Sequence, residues 1–431
     1  MERTEGKAKI WMGLIMALGG LLTALLPQQV FALAMEVALV YLGLNAVYTF
    51  WQFLRTRRKM SLILSLVSFA FVILLAFFSF IPEWLIRVGF AAYCIASGLA
   101  SLFQFGLDIH NRVKAPLSMG LAALAYIIIG LCLLFVPNFL TQQLIAAFGI
   151  YLVILGCRYV ADGFETMSRS GRYHWKRSFR MSLPPLLCAF LPEQALSAIN
   201  SRLDSGEQHP VIERKSEAST KLKILVFTGP SALQKIGHIA LAYDGIVYSY
   251  GNYDAESFRL KQIYGDGTYF NVAFEEYLPN MMNVEHNSIF EYGIQTTPEQ
   301  EKQIEASLEQ LHNQSYRWYS AIEREDGYAR PERYETDYPS RLHARTGAKF
   351  YKIKKGRFHT YWALGDNCAS FLDMILGSLG ADVLSMRGII SPGTYFEFLQ
   401  SEYIKPGSPV IFRAVYVNPQ NEKAKEQAEP V

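Results

Sequence analysis

Six long apolar runs occupy the first third of the chain, at about residues 10–26, 31–53, 61–81, 84–105, 117–136 and 141–161. Each approaches the ~20 residues that a helix needs to cross the hydrocarbon core of a bilayer. No small-residue cleavage site follows Pro27 and a second run begins almost at once, so the first reads as a span and not as a cleaved signal. The runs repeat in pairs. Pro27, Pro82 and Pro137 each end the first helix of a pair at a spacing of 55 residues, and Gly43, Gly98 and Gly156 recur within the second. The last glycine interval is 58, which a three-residue insertion within 138–143 accounts for. One helical hairpin used three times predicts an all-α six-helix bundle over residues 1–165.

Loop charges set an orientation. Arg55, Arg57, Arg58 and Lys59 follow the second run, Arg112 and Lys114 the fourth, and Arg158, Arg169, Arg172, Lys176, Arg177 and Arg180 lie at or after the sixth. The other loops carry almost no Lys or Arg beyond Arg87, so the N-terminus and the C-terminal part are expected on the cytoplasmic side of a bacterial inner membrane. Residues 166–220 read as a connector, with a short apolar segment at 181–196 that carries Pro184 and Pro185 and is predicted to lie along the membrane surface. Were that segment to cross, the C-terminal part would change sides. From 200 to 220 the chain is polar without period, a linker. Glu36 and Asn45 are the main polar residues inside the spans and read as helix-end or packing residues.

Beyond 220 the period shortens. Lys223-Ile224-Leu225-Val226-Phe227 reads as a strand, and Ile236 to Tyr243 and Ile246 to Asp254 as two more, joined by Asp244-Gly245. An Asp-Gly pair between two such runs is a strong hairpin signal. An idealised two-residue turn pairs Tyr243 with Ile246. That sets His238 opposite Gly251, with Ser249 and Tyr253 as diagonal neighbours on the same face and Asn252 turned away unless a bulge shifts the register. Thr297-Pro298-Glu299-Gln300 has the form of a capping box opening a helix through Ile304, Leu308 and Leu311. Residues 320–360, rich in charge and Tyr and without clear period, read as an inserted loop. In the stretch Gly365-Asp366-Asn367-Cys368, Asp366 or Asn367 is placed to cap a helix whose buried face carries Cys368, Phe371, Leu372, Ile375 and Leu379. A thiol there meets unpaired N–H groups and the positive end of the helix dipole, both of which favour thiolate.

Composition sharpens the division. Aromatic residues make up 14% of the 431 positions and charged ones only 18%, most of these after residue 165. The net charge of +3 comes from short basic clusters beside apolar runs, so no nucleic-acid partner is implied. Cys94, Cys132 and Cys157 lie in apolar runs and Cys188 just beyond them, which leaves Cys368 as the sole cysteine of the C-terminal part and implies no disulfide framework there. His286, His312, His343 and His359 are scattered, with no metal motif and no cofactor signature.

Two resemblances follow. The Gly-rich helix, Pro, turn and helix repeated over residues 9–165 resembles the HdeD-type membrane proteins of bacteria, associated with acid resistance. Residues 223–376 resemble the permuted papain-like thiol hydrolases, the group that includes NlpC-type peptidases and lecithin:retinol acyltransferase, and within it an uncharacterised bacterial domain family. The matching stretches are Ile236-Gly237-His238, residues 247–254, Gly265-Asp266-Gly267-Thr268-Tyr269-Phe270 and Asp366-Asn367-Cys368. Where that family tends to have Phe before Gly-His, an Arg four residues after the His and an Arg after Asn-Cys, this chain has Ile236, Ala242 and Leu372. The resemblance implies an α+β papain-like domain over 221–415, followed by a polar tail at 416–431, with Cys368 as nucleophile and His238 as base. Ser249, Asn252, Asp366 and Asn367 are the candidate orienting or oxyanion-holding groups. The implied activity is a membrane-anchored cysteine hydrolase or acyltransferase acting on an amide, ester or thioester bond, without cofactor or metal. Its partners would be the lipid bilayer and an acyl, lipid or peptide substrate, with room for a homo-oligomer through the bundle. The alternative is a non-catalytic HdeD-like stress-resistance protein whose papain-like domain binds a ligand or partner.

Overall fold

A computed structural model describes residues 2–78, 80–113, 117–136, 141–167, 211–228, 237–260, 262–379 and 392–417. Pro137, Cys188, the segment 181–196, Ile236 and the tail from 418 onward lie outside the described residues. The chain divides into two compact units, one of residues 7–99 with 120–163, the other of residues 1–6, 100–119 and 164–431.

The apolar runs form six helices: α1 (Glu2–Leu25), α2 (Pro27–Thr56), α3 (Lys59–Phe77), α4 (Phe80–His110), α5 (Leu117–Phe135) and α6 (Thr141–Met167). All six are long and apolar enough to cross a membrane, and their outward faces carry large apolar side chains such as Leu18, Val47 and Phe77 in the open. A water-soluble bundle could not leave such a surface bare, so the chain is a multi-pass membrane protein. Pro27 stands in the first turn of α2, where its missing N–H costs nothing and its fixed φ favours helix. Pro82 likewise falls in the first turn of α4, so these two prolines open the second helix of a pair as much as they close the first.

The repeat glycines are not equivalent. A Cβ on Gly156 would stand 2.5 Å from the amide nitrogen of Ala17, and one on Gly13 2.6 Å from the carbonyl of Gly156, so α1 and α6 cross backbone to backbone. Around Gly43 nothing lies within 4 Å of such an atom. Between α2 and α3, Asn45 donates to Ser68 Oγ at 2.9 Å and Ser65 donates to the Ala46 carbonyl at 2.9 Å. Asn45 is therefore a packing residue, worth roughly 0.6 kcal/mol per such bond in apolar surroundings.

The second unit is built on an antiparallel sheet. In chain order its elements are β1 (Val211–Arg214), β2 (Leu222–Thr228), β3 (His238–Tyr243), β4 (Ile246–Gly251), β5 (Tyr264–Asp266), β6 (Thr268–Ala273), α7 (Phe274–Asn283), β7 (Ser288–Ile294), α8 (Pro298–Asn313), β8 (Ser315–Trp318), α9 (Ala321–Arg324), α10 (Tyr338–Thr346), β9 (Lys349–Ile353), β10 (Thr360–Trp362), α11 (Cys368–Leu376), α12 (Pro392–Tyr403) and β11 (Val410–Tyr416). Nine described strands run in the order β1-β11-β7-β2-β3-β4-β6-β9-β8, and β5 and β10 form a separate pair. Both faces of the sheet are covered. Leu222, Ile224 and Val226 of β2 face a core shared with α8, α11 and α12. Leu225 and Phe227 face another, with Tyr277 and Met281 of α7 and Leu342 of α10. Two buried faces explain why β2 reads as an unbroken apolar run and not as an alternating one.

The expected capping box is present: Thr297 Oγ1 accepts from Gln300 N, and the Gln300 side chain accepts from Thr297 N. Residues 320–360 are not an inserted loop. They supply α10, which covers one face, and β9, which pairs with β6 and β8. Exposed Lys349 and the half-buried Lys352, which is paired with Asp254 and Asp266, break up the apolar pattern around buried Phe350 and Ile353. The polar stretch before 220 likewise contributes β1, paired with β11 from Val211↔Val415 to Arg214↔Phe412.

Candidate active site

The site is assembled where α11 meets the start of β3. Asn367 caps α11, its Oδ1 accepting from Ala369 N at 3.0 Å and Ser370 N at 3.1 Å, while its own N–H donates to Ser370 Oγ at 2.8 Å. Its Nδ2 donates to the Ala363 carbonyl at 2.8 Å. With every polar atom committed, Asn367 fixes the first turn and so the place of Cys368 at the first helical position. Behind the thiol, Ala369, Leu372, Ile375 and Leu376 are fully buried against β2, β3 and β7. Of the predicted apolar face, Cys368, Phe371, Leu372 and Ile375 are buried on the helix and Leu379 lies just past its end.

The β3–β4 hairpin adopts the expected register, Tyr243 opposite Ile246 across Asp244-Gly245, where Asp244 has φ 48° and Gly245 φ 76°. His238 Nε2 lies 2.7 Å from Ser249 Oγ, and Tyr253 Oη lies 2.8 Å from Ser249 Oγ and 3.4 Å from the same ring nitrogen. The imidazole also lies against Phe227, with ring centroids 5.9 Å apart. Ser249 is the candidate that meets the histidine. Asn252 does not: its Nδ2 faces the carbonyls of Gln262 and Tyr264 at 3.4 and 3.3 Å. Asp366 does not cap α11 either, and its carboxylate accepts from Arg357 Nε at 3.1 Å and Gln104 Nε2 at 3.1 Å.

The pleat of β3 sends neighbouring side chains to opposite faces. Ile239 joins the core that holds Cys368, and His238 turns towards Phe227 and Ser249. The sulphur reaches the main chain between them. Burial pushes the Cys368 thiol up to about 11, against the opposing pull of the backbone N–H groups of Ile239, Ala369 and Cys368 itself. Burial likewise lowers the His238 imidazole to about 4. Ser249 is a neutral hydroxyl, so it orients the ring without stabilising a positive charge on it. The resting pair is thiol and neutral imidazole, and no hydrogen bond joins the two side chains among the described residues. A helix N-terminus alone therefore does not make this thiol a thiolate: desolvation outweighs the dipole.

Aromatic hydroxyls crowd the site. Tyr253 and Tyr250 are held well above the ordinary phenol value, first by burial, and Tyr250 stacks on Phe371 of α11 with centroids 4.9 Å apart. Tyr253 packs instead on Phe270, Tyr338 and Phe350, on the other side of the sheet. His343 and His359 have structural partners, the carbonyls of Ala348 and Ile353 at 2.7 and 2.6 Å. Among the described residues no group of three His, Cys, Asp or Glu side chains is arranged to hold a metal. An open hollow lined by Asp254, Glu256, Arg259 and Asp266 has its acids paired internally, Lys352 lying 2.6 Å from Asp254 and 2.7 Å from Asp266.

Comparison of the chain with protein-family models, with curated proteins and with solved structures gives no match.

Proposed function

We propose that this membrane protein is a papain-like thiol hydrolase or acyltransferase, with Cys368 as nucleophile, His238 as general base and Ser249 as the group that orients the base. The observation that carries the reading is the meeting of a capped helix N-terminus bearing the only described cysteine outside the apolar helices with the strand residue pair His238–Ile239. With Nε2 on Ser249, this reading assigns Nδ1 to the thiol, which the ring must approach once substrate is bound. The thiol proton passes to Nδ1 as Sγ bonds to the acyl carbon of an amide, ester or thioester. The carbonyl electrons move onto oxygen, where the backbone N–H of Cys368 can donate. On collapse the imidazolium returns its proton to the leaving amine, alcohol or thiol. Water, or an acceptor alcohol or amine in a transferase, then takes the acyl group from sulphur with His238 again as base. Catalytic hydrogen bonds commonly tighten only when substrate is bound, which accommodates a resting site without a thiol–imidazole bond.

The basic loops support a cytoplasmic face at a bacterial inner membrane, which favours lipid, acyl-protein or small-peptide substrates over cell-wall peptides. A second reading, a non-catalytic HdeD-like protein whose domain binds a ligand, is favoured by one observation: both side chains are held neutral. Hydrolysis of a panel of activated amides, esters and thioesters by the full chain in detergent micelles separates the two. Turnover by the native protein that Cys368→Ser and His238→Ala abolish supports the enzyme. Turnover unchanged in both variants, or none with any of the panel, contradicts it.

A further inference from the structure

The inner end of α4 belongs to the same compact unit as the sheet, and it is built into the loop that presents the thiol. Gln104 is 8% exposed and Asp366 5%. The Gln104 carboxamide meets Asp366 twice: Oε1 accepts from Asp366 N at 3.2 Å, and Nε2 donates to Asp366 Oδ2 at 3.1 Å. The same Nε2 donates to Asp108 Oδ1 at 2.8 Å, one turn further along α4, and Arg357 Nε donates to Asp366 Oδ1 at 3.1 Å. One residue earlier the fit is closed, because a Cβ on Gly365 would stand 2.1 Å from Gln104 Oε1. Around this pair, Phe103 packs on Trp362 and Tyr264 with centroids 4.7 and 5.6 Å apart. Asn111 accepts from Gly356 N at 3.1 Å and meets Thr360 Oγ1 at 3.3 Å.

The loop has little freedom left once Asp366 is held. Trp362 N donates to the Asp366 carbonyl, Gly365 N to the Trp362 carbonyl and Asn367 N to the Gly365 carbonyl, at 3.1, 2.9 and 2.9 Å. Ser370 Oγ reaches the Gly365 carbonyl at 3.0 Å. Asp366 is thus tied on one side to Gln104 and on the other, through Asn367, to the first turn of α11. A primary amide suits this place: it offers an acceptor to a backbone N–H and a donor to a carboxylate at once, which neither an acid in its ionised form nor an alkyl side chain can do.

We propose that Gln104 is a positioning residue for Cys368, acting through Asp366. A residue of a membrane-spanning helix thereby sets the loop from which the nucleophile is presented. The inference rests on the hydrolase reading for its consequence in turnover, but the ordering of the loop can be read without it. In Gln104→Ala, amide hydrogen exchange in a peptide covering 363–370 should speed up at least tenfold with exchange in β2 unchanged, and kcat on the best acyl substrate should fall at least tenfold with KM within twofold. Gln104→Glu is nearly isosteric. Its protonated carboxyl can still donate to Asp366, whereas its ionised form adds a third carboxylate beside Asp108 and Asp366. Its exchange and kcat should therefore approach the native values as pH falls and depart from them as pH rises. Native exchange at 363–370 in Gln104→Ala, or a Gln104→Glu protein whose exchange keeps the native pH dependence, overturns the proposal. If the native protein turns over no substrate, the hydrolase reading fails and the exchange measurements still decide this one.

Discussion

Ser249 Oγ lies 2.7 Å from His238 Nε2, with Tyr253 Oη closing a triangle of hydroxyls and imidazole at 2.8 and 3.4 Å. For Nδ1 to accept a proton, Nε2 must carry the hydrogen and donate it to Ser249, whose own hydrogen can then go to Tyr253. The serine hydroxyl holds the ring plane, and because it can donate or accept it fits the Nε2–H tautomer that this mechanism requires.

Ser249→Ala should therefore cut kcat on an acyl substrate by roughly 10- to 100-fold, the cost of a misplaced base, with KM little changed. His238→Ala should cost more, about 10²- to 10⁴-fold, because the base itself is gone. Steady-state kinetics on the two variants check the order, and equal losses would show that Ser249 does more than orient.

The pH behaviour follows from the two buried groups. The imidazole, lowered by burial to about 4, is already neutral well below pH 6.5. The thiol, raised by burial to about 11, remains protonated to high pH. The rate of Cys368 alkylation by iodoacetamide should keep climbing from pH 7 towards about 11, with no plateau near neutrality. The sign for stability is also set. Between about pH 4 and the ordinary histidine value of about 6.5 the unfolded chain binds a proton at His238 that the folded chain does not, so this group's contribution is fully present above pH 6.5 and is lost as pH falls to about 4. An NMR titration of His238 with a midpoint near 6.5 would contradict this.

Asn367 spends its Oδ1 on two backbone N–H groups and its Nδ2 on a carbonyl. Asn367→Ala should lower the stability of the sheet unit by about 1 to 2 kcal/mol, at the upper end for a lost helix cap because the cap is buried. Asn252→Ala, which removes only contacts to the carbonyls of 262 and 264, should leave kcat within a few-fold of native. Thermal unfolding and kinetics on the pair distinguish a structural asparagine from a catalytic one.

In the helical unit, Gly156→Ala drives a methyl into the backbone of α1, 2.5 Å from Ala17 N, and should destabilise by about 1 to 3 kcal/mol, as overpacking does. Gly43→Ala meets nothing within 4 Å and should be neutral or stabilise by up to about 1 kcal/mol through helix propensity. Unfolding in detergent reads both, and equal effects would mean that α1 and α6 do not cross at these glycines.

What could be read from the sequence was local. Asp244-Gly245 sets the hairpin register by turn geometry alone, and that register carries His238 to Ser249. Thr297 with Gln300, and Asn367 with Ser370, are capping partners three residues apart. The six apolar runs needed only their length and composition. What escaped was set by distant residues. Lys349 to Ile353 carries a lysine on each face and so does not announce itself, and it becomes a strand because β6 offers it an edge. Gln104 sits at the end of an apolar run with no local mark of its role, and its partner Asp366 is 262 residues away. The surroundings of the thiol are likewise set from a distance. The helix dipole is visible in a capping motif, but the desolvation that outweighs it comes from β2, β3 and β7 closing over Cys368.

The central claim is that Cys368 carries an acyl group during turnover. The direct measurement is intact mass spectrometry of the full chain in micelles, quenched with acid during steady-state turnover of an activated acyl ester, followed by peptide mapping. The account predicts a mass increase of one acyl group located on Cys368, absent in Cys368→Ser and reduced at least tenfold in His238→Ala. Turnover with no adduct at Cys368 in the native protein, or an adduct that forms equally fast without His238, would contradict it.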